Sequence, residues 1–132
     1  MQDKKSKRNI GKIESVSWIK KAESDLRKAK ILFQAGEYDG ALFYSQQTAE
    51  KALKAVHIYL GMGLIKTHEL GSLSRKIKAP KNIQEKGILL NPYESFSRYP
   101  DKNDKIFDKE SSVDALKYSQ EVLKWCKHQL KI

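Results

Sequence analysis

The sequence predicts an all-α protein, an antiparallel up-and-down four-helix bundle with an additional short helix. Three observations carry this expectation. Apolar residues recur at steps of three and four in several long segments, the spacing of one helix face. No strand-like alternation runs for any length. Short connections marked by Gly, Pro or Asn separate the segments and favour antiparallel neighbours.

The first helix is expected from Ser15 or Ser17, as N-cap, to about residue 35. Its apolar stripe is Trp18, Ala22, Leu26, Ala29 and Phe33, with Ile19 and Leu32 beside it. Gly36 ends it, being free to take the left-handed conformation. The central helix, residues 38–60, organises the chain. Ala41, Ser45, Ala49, Ala52, Val56 and Tyr59 form one face, and Leu42, Leu53 and Leu60 widen it. Its small residues permit close approach, and its breadth demands cover on more than one side. Asp39 suits its N-cap and Gly61 its stop.

Thr67 is the expected N-cap of a short helix carrying Leu70, Leu73 and Ile77, which Pro80 stops. Asn82 with Glu85 resembles a capping box for the next helix, expected over 82 to about 90 with less regular helix to 97. A polar loop follows to Glu110. The last helix is expected to start at Ser111 or Ser112, with a weaker stripe of Val113, Leu116, Ser119 or Gln120, Leu123 and Lys127 or Leu130.

Length and charge bound the function. With 132 residues the chain is one domain, read as 15–132, and 39% apolar content suits a compact bundle. Residues 1–14 hold Lys4, Lys5, Lys7, Arg8 and Lys12 and read as a basic, flexible arm. One cysteine, Cys126, excludes an internal disulfide, and no zinc-like cluster, other metal site or cofactor motif is present. No apolar run reaches the roughly 18 residues of a membrane helix, and no secretory leader opens the chain, so the expected location is cytoplasmic, without membrane contact. The net charge of +10 favours polyanions through counterion release, although lysine-rich surfaces also serve solubility.

The candidate site is Arg98-Tyr99-Pro100-Asp101. Arginine can hold a phosphate bidentately and a tyrosine ring can stack on a base. The plainer alternative pairs Arg98 with Asp101 or Glu94 and packs Tyr99 on the bundle. His68, near a helix start, can contact a phosphate or simply fix a loop. His57 reads as half-buried and His128 as an exposed helix end. Glu50 lacks a second carboxylate at helical spacing, so a salt bridge, internal or crossing a dimer, is its expected role. Trp18 and Trp125 are core or interface anchors.

Several of these residues together resemble a known family. They are Trp18, Ala22, Asp25-Leu26 and Ala29, then Gly36-Glu37-Tyr38 and Ala41, then Gln46-Gln47-Thr48-Ala49-Glu50-Lys51-Ala52-Leu53-Lys54-Ala55. Thr67-His68-Glu69-Leu70 with Leu73, and Arg98-Tyr99-Pro100-Asp101, complete the set. Over roughly residues 17–130 the chain is similar to the HEPN family (higher eukaryotes and prokaryotes nucleotide-binding). The resemblance implies a helical bundle that pairs as a homodimer. It also implies partnership with a minimal nucleotidyltransferase, as in toxin–antitoxin pairs; the candidate nucleotide- or RNA-binding residues beside it are Arg98, Tyr99, Asp101 and His68, on their side-chain chemistry. Many members resemble metal-independent ribonucleases built on an arginine followed by a histidine four to six residues on. Here none of His57, His68 and His128 follows an arginine at that spacing. Metal-free cleavage needs a proton acceptor beside the 2′-hydroxyl and a donor for the leaving oxygen. The expectation is therefore a non-catalytic binding homodimer. The alternative is a ribonuclease with a non-standard site built from Arg98, Tyr99 and His68.

Overall fold

The computed structural model describes residues 4–96 and 107–132, with side chains from Ile10 to Glu94 and from Phe107 onward. Among the described residues six helices and no strand are present: α1 (Lys4–Gln34), α2 (Tyr38–Tyr59), α3 (Leu70–Lys76), α4 (Lys81–Leu90), α5 (Tyr93–Phe96) and α6 (Lys109–Gln129). The four longer helices, with α3 as the short addition, give the expected all-α bundle; α5 is a single turn.

Helix α1 begins at Lys4, well before Ser15, so the stretch expected as an arm over 1–14 is helical from Lys4. The proposed caps do other work. The Ser15 hydroxyl donates to the Lys12 carbonyl at 2.9 Å and that of Ser17 to Ile13 at 3.1 Å. Such back-bonding lets serine sit inside a helix. Gly36, with φ of +78°, makes the turn to α2.

Helix α2 is buried almost all round, because α1 and α6 both pack along it and α3, α4 and α5 touch its remaining side. Ala41, Leu42, Ala49, Ala52, Leu53, Ala55 and Val56 are buried along it. Most of them join Ile19, Ala22, Leu70, Leu73, Val122, Leu123 and Cys126 in one core. Trp18 and Trp125 pack partly buried against it. The Ser112 hydroxyl reaches the Tyr38 carbonyl at 3.4 Å, while Lys127 reaches Glu23 at 3.0 Å. Helix α6 therefore starts beside the start of α2 and runs antiparallel to α1.

The other caps also differ from expectation. Glu37 is the N-cap of α2, without a side-chain bond, and Asp39 instead accepts from the Gly40 amide at 2.8 Å. Glu69, not Thr67, caps α3: its carboxylate accepts from the Gly71 amide and from that of Ser72 at 3.2 Å. Thr67 accepts from the Glu69 amide at 3.1 Å, just ahead of the helix. Pro80 is the N-cap of α4, ahead of the Asn82 start suggested by the capping box. Asp108 caps α6, accepting from the Ser111 amide at 2.7 Å. Gly87 does not break α4; it is buried inside it, where a Cβ would sit 3.2 Å from Leu70 Cβ and 3.5 Å from the Leu70 carbonyl oxygen.

Candidate functional site

The central helix places Gln46, Glu50 and Lys54 at steps of four, on one face. All three are buried. Gln47 Nε2 donates to Gln46 Oε1 at 2.7 Å, and Gln46 Nε2 donates to Glu50 Oε1 at 3.0 Å. Lys54 Nζ donates to Glu50 Oε2 at 3.1 Å. Beside this row Lys51 pairs with the buried carboxylate of Asp25 on α1. The salt bridge expected for Glu50 is thus internal to the bundle.

His68 closes the row from outside. Its Nδ1 lies 3.1 Å from Glu50 Oε1 and 3.0 Å from Oε2. The loop from α2 turns through Gly61 and Gly63, with φ of +78° and +77°, and brings the ring back over α2. At its far end the loop is clamped. The Leu70 amide donates to Asn91 Oδ1 at 2.8 Å, and Asn91 Nδ2 donates to Glu69 Oε2 at 3.0 Å. Burial alone would raise the Glu50 carboxyl. Hydrogen bonds from Gln46, His68 and Lys54, with the Lys54 charge, outweigh it and hold the carboxyl below the ordinary range. The same contest at Glu69 is won by Asn91, the Gly71 and Ser72 amides and Arg75, so it too is lowered.

The arrangement is a buried, ionised carboxylate gripping one nitrogen of an imidazole whose side chain is 59% exposed. Chemically it can present the other nitrogen to a ligand in a fixed direction. Of the sequence-predicted site residues, His68 is therefore the one with described surroundings. Arg98, Tyr99 and Asp101 lie outside the described residues. The sequence pattern missed Glu50 as the partner of His68. The two are eighteen positions apart on different elements, and only the row at steps of four hinted at a shared polar face.

His57 is fully buried rather than half-buried. Its Nε2 donates to the Leu73 carbonyl at 2.8 Å, and its Nδ1 has no partner among the described residues. Burial depresses its pKa, the Leu73 bond opposes, and the charges of Lys76 and Lys54 add to the depression. It is a structural histidine. His128 is exposed in the last turn of α6, as expected. Among the described residues no cluster of His, Cys, Asp and Glu could hold a metal ion, and no helix is long and apolar enough to cross a membrane.

An all-α bundle with a polar row buried in its central helix and a histidine pinned to it defines a class of helical domain. The HEPN domain model matches residues 15–129, and the chain belongs to the HEPN family. Solved structures agree in fold. TT1696 from Thermus thermophilus superposes with a TM-score of 0.80 at 26% identity, over 87% of this chain and 97% of that one. ST0689, an archaeal HEPN homologue, gives 0.76 at 29% identity, over 88% and 97%. An HEPN domain protein from Thermotoga maritima shares the fold, with 0.73 at 22% identity over 87% and 98%. A Methanocaldococcus jannaschii protein named "Putative toxin MJ1304" is 37% identical over 76 residues, 56% of this chain. The match spans about half, 49%, of that relative's length.

Proposed function

We propose that the protein is the RNA- or nucleotide-binding member of a toxin–antitoxin-like pair. It works in the cytoplasm as a homodimer, binds without cleaving, and partners a minimal nucleotidyltransferase. Arg98, Tyr99, Asp101 and His68 are its ligand-binding residues. The observation that carries the non-catalytic reading is the set of histidines. None follows an arginine by four to six residues. Within the fold, His57 is sealed in the core. An arginine without an adjoining imidazole grips an anion but has poor means of moving a proton. The net charge of +10 supports a polyanionic ligand. The name of the Methanocaldococcus relative supports the toxin-like setting. Exposed Ile10 and Ile13 on α1 lie at the same end of the bundle as exposed Leu60 and Met62, an apolar surface that supports pairing with a second copy.

One observation favours the second reading, a metal-independent ribonuclease. A carboxylate holding Nδ1 of an exposed imidazole is how a general base is oriented. Single-turnover incubation with RNA under chelating conditions separates the two. Binding without cleavage is expected. Cleavage that disappears in Arg98→Ala or His68→Ala would replace the binding reading with the nuclease.

A further inference from the structure

Glu50 already has a donor on each oxygen, Gln46 on Oε1 and Lys54 on Oε2. The buried carboxylate is therefore satisfied without His68, and the ring is largely exposed, so neither burial nor satisfaction of the core requires it. What the contact does fix is the ring. A neutral imidazole carries a single N–H. An ionised carboxylate can only accept, and both Glu50 oxygens lie within 3.1 Å of Nδ1. In the neutral ring the proton is therefore on Nδ1, and Nε2, on a side chain that is 59% exposed, carries the lone pair. The neighbouring carboxylate of Glu69 is engaged by the Gly71 and Ser72 amides and by Asn91, so it does not compete for the ring.

We infer that Glu50 is a positioning residue that sets the tautomer of His68, and that His68 Nε2 accepts a hydrogen bond from a ribose 2′-hydroxyl. This rests on the nucleic-acid-binding reading above and deepens it. The basic surface attracts any polynucleotide, whereas an acceptor of this kind rewards a hydroxyl donor that ribonucleotides possess and deoxyribonucleotides lack. His68 would then discriminate RNA from DNA without moving a proton.

The test measures anisotropy of the full chain with a short oligouridylate and an oligodeoxyuridylate of equal length, above pH 8 and at moderate salt. One hydrogen bond predicts roughly two- to tenfold tighter binding of the ribo-oligomer. His68→Ala should bring the ratio to one while leaving most of the affinity. The double variant Glu50→Met/Lys54→Met removes both buried charges together, avoiding the unpaired charge that either single substitution would leave, and should also level the ratio. Nitrogen-15 NMR of the wild-type protein should show His68 protonated at Nδ1; in the double variant the ring should populate both tautomers. Equal binding of the two oligomers by the wild-type protein, or an Nε2-protonated ring, overturns the inference and leaves the binding reading standing. Failure to bind either oligomer overturns both.

Discussion

Glu50→Gln tests the energetic core of the site. The substitution keeps the shape of the side chain and removes its charge. Lys54, with its side chain only 8% exposed, then holds an ammonium with no carboxylate beside it. Breaking a buried pair from one side costs about 3–5 kcal/mol, because the remaining charge is desolvated without compensation. Lys54 can recover part of this by extending toward water, so the lower end, about 3 kcal/mol, is the expected loss. In urea, with a slope of about 2 kcal/mol/M, the midpoint should fall by roughly 1.5 M at unchanged slope. Acidification gives the same group a second readout. The Glu50 pKa is lowered in the fold from its ordinary value of 4.5. Its contribution is therefore full above that value and is lost as the pH falls through the lower folded pKa. Glu50→Gln should flatten this acid limb. A midpoint shift near zero, with the acid limb unchanged, would refute the view that the row is a tightly held buried charge network.

Further expectations follow from single residues. His57, whose pKa is depressed from 6.5, stays neutral in the fold while the unfolded chain takes up a proton, so stability should fall as the pH drops below about 6.5; His57→Phe should remove that dependence, and pH-resolved thermal melting measures it. Gly36→Ala forces a Cβ into a backbone with φ of +78° and should cost about 1–2 kcal/mol, read by urea unfolding. Leu53→Ala empties a fully buried position in the core and should cost about 2–5 kcal/mol in the same assay. Light scattering at micromolar concentration should give twice 15.2 kDa, and a particle of 15.2 kDa would remove the homodimer.

Helix existence and pairing were legible because they rest on local periodicity. The stripes on α1, α2 and α6, the tight turn at Gly36 and the stop at Gly61 all follow from spacing and backbone freedom. Caps were less legible because several polar residues compete at each helix start. Asp108 lay in a run read as loop, and Glu69 outcompeted Thr67 because its longer carboxylate reaches two amides and Asn91 together. Ser15 marked no boundary, since a serine hydroxyl can satisfy itself on the preceding turn.

The candidate site divides along the same line. Sequence alone determined the family resemblance, the missing arginine–histidine spacing and a salt bridge rather than paired-carboxylate chemistry for Glu50, because each is a matter of residue identity and interval along one chain. It left His68 open between ligand contact and loop anchor. Tertiary structure decided which carboxylate holds that ring, which nitrogen is engaged, and that His57 is sealed while His68 is exposed. Those facts depend on how the glycine-bearing loop folds back over α2, a long-range geometry that no local interval encodes.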